Sequence, residues 1–159
     1  MITQQLLHEL FEYKDGNIYW KVKPCKNILI GVKAGSKAKN GYFVVGIKNK
    51  VYLIHRIIFM LHHGYFPKFI DHIDENKTNN KIENLRKATS SENKCNISLK
   101  KNNTSGVKGV FWEKSRKKWR ASCIKNGKRY DAGFYVDIED AKKAVEVLRN
   151  SIHGSFAKN

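Results

Sequence analysis

The stretch from Phe69 to Asn96 reads FIDHIDENKTNNKIENLRKATSSENKCN, and it decides the fold. Asn and Asp hydrogen-bond their own backbone and stabilise tight loops, so Asp74 to Asn80 is expected as a loop between two extended pieces. Thr89 with Glu92 three residues on is a capping box, which starts a helix near Ser90 and sets Asn93 in its first turn. The order is strand, loop, strand, helix.

Four side chains of this stretch suit phosphodiester chemistry: Asp71, His72, Asn84 and Asn93. Hydrolysis of a phosphodiester needs a base to activate water and a hard cation to hold charge developing on the leaving oxygen. Histidine serves as a base near neutral pH. Asp offers the anionic oxygen Mg²⁺ prefers, and one or two protein oxygens suffice because the ion keeps waters. An Asn amide either lends its oxygen to the metal or orients the imidazole. By composition alone the signal is weak, and an Asn/Asp-rich stretch is more often only a loop. Strict alternation also points Asp71 and His72 to opposite faces, so both serve one site only if the phosphate lies across the strand edge.

Upstream, residues 55–64 (HRIIFMLHHG) form an apolar block closed by Gly64 and Pro67. It reads as a buried helix, although so short a run does not separate helix from strand. Earlier still come a short helix over Gln4–Phe11 and strands near Asn17–Lys21, Tyr42–Lys48 and Val51–Ile54, punctuated by glycines. Downstream, a polar stretch from Ile97 lacks periodicity and reads as a linker over 97–104. Three strand candidates follow at Gly109–Trp112, Trp119–Ile124 and Arg129–Tyr135, with Asn126-Gly127 as a hairpin turn between the last two. Asp137 caps a helix whose apolar positions Ile138, Ala141, Ala144, Val145, Leu148 and Ile152 keep helical spacing until Gly154. The fold class is α+β, with domains at 1–96 and 105–159.

The 159 residues carry 31 Lys+Arg against 14 Asp+Glu, a net charge of +17. Eleven of the basic and two of the acidic residues fall within 97–131. So basic a surface suits a polyanion, since neutralising phosphates releases counterions. No apolar run approaches the roughly 18 residues of a membrane span. The N-terminus lacks a signal pattern, so a soluble intracellular protein without a membrane partner is expected. Cys25, Cys95 and Cys123 lie too far apart for a zinc site or a disulfide framework and are expected as reduced thiols in small apolar niches.

The run Asp71-His72-Ile73-Asp74, then Asn79-Asn80, Asn84-Leu85 and Ser91-Glu92-Asn93, with His55-Arg56 upstream, resembles the HNH nucleases of the phage and intron homing type. The likeness covers roughly residues 5–97, with the core motif at 55–96. It implies a ββα-metal domain in which Asp71 and Asn93 hold one Mg²⁺ or Mn²⁺ ion, His72 is the general base and Asn84 orients it. Asn93 stands where other members carry a third His, which favours a hard ion over zinc. His55 and Arg56 are candidate phosphate contacts, with a structural role for His55 equally open. Asp74 is either a loop former or an outer-sphere helper.

Residues 105–157 resemble a second family. Ser105-Gly106-Val107-Lys108-Gly109-Val110, Lys118-Trp119-Arg120-Ala121, Asn126-Gly127-Lys128-Arg129, Gly133-Phe134 and His153-Gly154-Ser155-Phe156-Ala157 are similar to the Apetala-type, ethylene-response-factor DNA-binding domain. That family is a three-stranded antiparallel sheet on one helix, and its sheet enters the major groove. The resemblance makes Lys108, Trp112, Lys114, Arg116, Arg120 and Arg129 candidate DNA contacts. Phe111, Glu113, Ile124 and Asp131 depart from the family, so its target sequence does not transfer.

The two resemblances imply a metal-dependent, site-specific homing endonuclease acting on double-stranded DNA and leaving 5′-phosphate and 3′-hydroxyl ends. One motif per chain implies a nick by a monomer, or a double-strand break if two chains cooperate. A phage-encoded protein would work in the host cytoplasm. Two rivals stand beside this reading: a DNA-binding regulator with an inactive nuclease half, and a non-specific or repair nuclease.

Overall fold

The Thr3 hydroxyl accepts from the backbone N–H of Leu6 and so starts α1 (Gln4–Leu10). The chain then enters a hairpin of β1 (Phe11–Lys14) and β2 (Asn17–Trp20), turning through Asp15 and Gly16, both at positive φ. The computed structural model describes residues 2–95, 99 and 103–157, divided into two units, Met1–Ala88 and Thr89–Asn159. The linker expected over 97–104 lies mostly outside the described residues.

In the first unit β3 (Ser36–Lys37), β4 (Phe43–Ile47) and β5 (Lys50–Leu53) form an antiparallel sheet in that order, and β5 runs straight into α2 (Ile54–His63). The apolar block is therefore helical. It is long enough for almost three turns, and Ile54, Ile57, Ile58, Phe59, Met60 and Leu61 are all buried. Each such side chain contributes on the order of 1.5–3 kcal/mol of burial. The helix stops at Gly64 in the left-handed conformation, whose N–H caps Met60 O. Around α2 pack Leu7, Phe11, Ile18, Trp20, Val45 and Ile47. Against the same core lies the hairpin of β6 (Phe69–His72) and β7 (Leu85–Ala88), where Asp71 stands opposite Arg86 and His72 opposite Leu85.

The second unit opens with α3 (Ser90–Cys95), and its capping box is reciprocal. Thr89 N–H donates to Glu92 Oε2 at 2.7 Å, and Glu92 N–H donates to Thr89 Oγ1 at 3.2 Å. An antiparallel meander follows: β8 (Val110–Glu113), β9 (Lys118–Lys125) and β10 (Lys128–Tyr135), with β9 central. One face receives α4 (Ile138–His153), whose Ala141 and Val145 close onto Val110 and Ala121. Asp137 caps α4 by accepting from Glu139 N–H at 2.6 Å. Gly109 permits a close crossing, since a Cβ there would sit 2.5 Å from Ser122 O.

Two expectations need correction. Phe11, expected to end α1, begins β1, because Phe11 and Tyr13 alternate inward onto the core while Glu12 and Lys14 face water. Cys25 is exposed rather than held in an apolar niche, and Cys123 is partly buried; neither is in a disulfide. No described helix is long and apolar enough to cross a membrane.

Candidate active site

His72 closes β6 with its ring almost sealed, at 6% exposure. The His55 ring, from the first turn of α2, meets it edge-on at 5.0 Å. Tyr42, just ahead of β4, lies 5.3 Å from His55 and 6.1 Å from His72. From the far end of the loop Asn80, 3% exposed, sets its Oδ1 3.0 Å from His72 Nε2. An amide oxygen only accepts, so Nε2 is the donor of this hydrogen bond, and in the neutral imidazole that tautomer puts the lone pair on Nδ1. Burial first, then the neighbouring His72 and Arg56, push the His55 pKa down to about 3. His55 is thus a neutral wall for the His72 ring.

Asp71 faces the other way, as strand alternation requires. Its Oδ2 accepts from Arg86 Nε at 2.8 Å and lies 2.8 Å from Arg86 Nη2. Asp71 is 5% exposed, so a carboxylate without a cationic neighbour would be costly there.

The loop between the strands is tied through Asp74. Its carboxylate accepts from Asn76 N–H, Asn79 Nδ2 and Asn84 Nδ2 at 2.7–2.8 Å. Partial burial pulls the Asp74 carboxyl upward, but these amides, with His72 nearby, outweigh it and hold the pKa below its usual value. Asn84 also donates to Asn79 O and accepts from Asp74 N–H. Asn84, expected to orient His72, therefore spends its amide on the loop, and Asn80 holds the ring. The reason is position: Asn84 ends the 3-10 turn Ile82–Asn84 beside Asp74, whereas Asn80 lies where the loop passes His72. Asp74 proves to be a loop former.

The β1–β2 turn presses on this segment from outside. Ile82 N–H donates to Tyr13 Oη at 3.1 Å, Lys81 pairs with Asp15 at 2.8 Å, and a Cβ on Gly16 would lie 2.9 Å from Lys81 N. His55 and Arg56 were candidate phosphate contacts, with a structural role equally open for His55. His55 is instead sealed against His72, and Arg56 donates to the carbonyls of Pro67 and Lys68 while lying over the Phe66 ring. Both brace the approach to β6.

Residues 52–95 match the HNH endonuclease family. The chain is 38% identical over 97 residues to Protein 3.8 of Escherichia phage T7, covering 60% of this chain and 79% of that protein. It is 34% identical over 122 residues to an uncharacterized HNH endonuclease of Acanthamoeba polyphaga mimivirus, covering 75% of this chain and 62% of the relative. The chain belongs to the HNH endonucleases. It is a DNA-cleaving hydrolase. No solved structure matches it.

HNH endonucleases generally use divalent metal ions. Among the described residues of this HNH endonuclease, no group of three or more His, Cys, Asp or Glu could hold one. Asn93 lies on α3 in the second unit, its N–H bonded to Thr89 O. On the sheet of that unit Arg120 and Arg129 occupy the face opposite α4, while Lys114 and Arg116 are exposed at the β8–β9 turn. Trp112 does not share their face. It stands opposite Trp119, rings 5.1 Å apart, on the side that packs against α4. Lys108 is partly buried, and its carbonyl accepts from Arg149 Nη2.

Proposed function

We propose that this HNH endonuclease is a site-specific, metal-dependent enzyme of the homing type that nicks duplex DNA and leaves 5′-phosphate and 3′-hydroxyl ends. One observation carries the mechanism: His72 is a buried imidazole whose Nε2 is tied to Asn80, so that Nδ1 is the basic atom. His72 Nδ1 takes the proton of the attacking water, and Asn80 with His55 keeps the ring from turning as it becomes imidazolium. Asp71 and Asn93 would hold one Mg²⁺ or Mn²⁺ ion; one carboxylate and one amide oxygen suit a hard ion that keeps most of its waters. Such an ion supplies positive charge against the leaving 3′ oxygen. Arg86 is the cationic partner of the buried Asp71 and keeps its carboxylate aligned.

The nuclease domain is read as 1–96 and the second domain as 105–159, an Apetala-like sheet that grips the duplex. The concentration of eleven basic residues within 97–131 supports that assignment, as does the open sheet face bearing Arg120 and Arg129. Supercoiled plasmid incubated with and without Mg²⁺ tests the reading. Nicked circles are expected with the wild type and none with His72→Ala, and end mapping should give recurrent sites. Binding without nicking in any divalent metal rejects the mechanism, and scattered cuts reject the homing assignment.

A further inference from the structure

Lys77 leaves the β6–β7 loop and lies across the turn between β3 and β4. Its Nζ donates to Asn40 O at 3.3 Å and stands 4.8 Å from the centroid of the Tyr42 ring. Asn40 serves both contacts, since its Oδ1 accepts from Tyr42 N–H at 3.2 Å. The turn itself is closed by Gly41 N–H on Ala38 O and by Ala38 N–H on Tyr42 O. Tyr42 is the ring that lies 5.3 Å from His55 and 6.1 Å from His72. One half-buried aromatic side chain thus carries an ammonium and has both histidines beside it.

A carbonyl oxygen and a ring face orient this ammonium without neutralising it. Among the described residues Lys77 makes no ion pair, whereas Lys81 of the same loop is paired with Asp15. Asp74, three residues before Lys77, is occupied by Asn76 N–H and by the amides of Asn79 and Asn84. The strands beneath add no counter-charge: from Lys21 to Ile70 the sequence has ten basic residues and no Asp or Glu. Holding a long exposed side chain in one pose costs rotamer entropy, and a lysine without a counter-ion gains little stability for it. The placement is accounted for if the charge awaits an anion that arrives at the His72 ring.

We propose that Lys77, laid over Tyr42, is a further catalytic residue whose ammonium takes a non-bridging oxygen of the scissile phosphate. The inference rests on the reading of His72 as the general base. As the water oxygen bonds to phosphorus and the bond to the 3′ oxygen breaks, the water proton passes to His72 Nδ1. The 3′ oxygen takes a proton from solvent. Charge on the non-bridging oxygens is greatest between these events, so a fixed cation beside them favours the transition state over bound substrate. Tyr42 acts through Lys77 and is a positioning residue.

The test measures single-turnover nicking of supercoiled plasmid by the full chain at saturating enzyme with Mg²⁺, beside duplex affinity in EDTA and Tm. Lys77→Ala should slow nicking roughly tenfold or more, with affinity and Tm little changed. Two further variants separate charge from a structural tie. Lys77→Arg keeps the charge and should keep most of the rate, whereas Lys77→Gln keeps an N–H donor without the charge and should be as slow as Lys77→Ala. Lys39→Ala removes one exposed charge from the same turn and should leave the rate unchanged. A wild-type rate in Lys77→Ala, a Lys77→Gln rate equal to that of Lys77→Arg, or equal losses in Lys39→Ala and Lys77→Ala would overturn the proposal. His72→Ala tells the two failures apart. If it nicks at the wild-type rate, the reading of His72 fails and takes the proposal with it; if it is silent while Lys77→Ala is fully active, only the role of Lys77 falls.

Discussion

His72 Nε2 and Asn80 Oδ1 lie 3.0 Å apart, and both side chains are nearly sealed from water. A hydrogen bond in such a place is costly to break, because the partner left behind stays desolvated. Asn80→Ala should therefore cost about 1–3 kcal/mol of stability. On the proposed mechanism it should also lower kcat for nicking about tenfold or more, with KM little changed, since the ring loses its hold but the DNA contacts remain. Thermal unfolding and single-turnover plasmid nicking measure the two effects. Full activity in a folded Asn80→Ala protein would remove Asn80 from the mechanism.

Asp71 and Arg86 form a pair in which the acid is sealed and the base only partly so. Removing Arg86 strands a buried carboxylate, so Arg86→Ala should destabilise the protein by about 3–5 kcal/mol. If Asp71 is a metal ligand, Mg²⁺ should return part of that loss, and the rise in Tm on adding Mg²⁺ should be larger in Arg86→Ala than in the wild type. Asp71→Asn should abolish nicking and leave DNA binding in EDTA intact. Equal Mg²⁺ shifts in wild type and Arg86→Ala would count against Asp71 as a ligand.

Much of this organisation was legible in the sequence. The Thr89–Glu92 capping box, the Asn126-Gly127 turn and the spacing of Ala141 and Val145 all act locally, and each appears where local chemistry predicts it. Beyond the local range, the reading failed in recognisable ways. Which of several asparagines meets His72 depends on where the loop returns, and that is fixed by Asp74 and by the β1–β2 turn pressing on Lys81. The adjacent Asn79-Asn80 pair was the only signal. Equally, one-dimensional spacing could not show that His55 is walled in by Tyr42 and His72, or that Trp112 shares the face of Trp119.

Gly16 connects a distant turn to that loop. Its φ of +78° is strained for any L side chain, and a Cβ would come within 2.9 Å of Lys81 N, next to Asn80. Gly16→Ala should cost about 1–3 kcal/mol. Because the strain bears on the Asn80 segment, nicking should fall further than a Gly31→Ala control, where a Cβ meets nothing within 4 Å. Equal loss of activity in the two variants would refute the coupling.

His55 gives the first unit a predictable response to acid. Its pKa is about 3 in the folded chain against an unfolded value near 6.5, chiefly because the ring is buried. The unfolded chain therefore binds the proton first. The stabilising effect is complete above about pH 6.5 and is lost as pH falls toward 3, at a rate of up to about 1.4 kcal/mol per pH unit. His55→Gln, which cannot titrate, should show a flatter profile of unfolding free energy between pH 6.5 and 4. Urea denaturation across that range measures it, and parallel profiles would mean that His55 is not held neutral by the fold.

The basic sheet face makes a prediction about salt rather than about bases. Each phosphate neutralised by Lys or Arg releases condensed counterions, so log affinity falls with log salt at a slope of about 0.9 per contact on duplex DNA. Lys118 and Arg129 stand on the face opposite α4, both exposed. On the docking reading, Lys118→Ala and Arg129→Ala should each weaken binding to any duplex by a similar factor and lower the slope by about one. Lys142→Ala, on α4 and within 3.9 Å of Glu139, should leave the slope unchanged. Titrating fluorescent duplex at several salt concentrations in EDTA separates these outcomes. Equal slopes for all three variants and the wild type would move the DNA to another surface, because a charge that meets phosphate cannot be removed without changing the number of ions released.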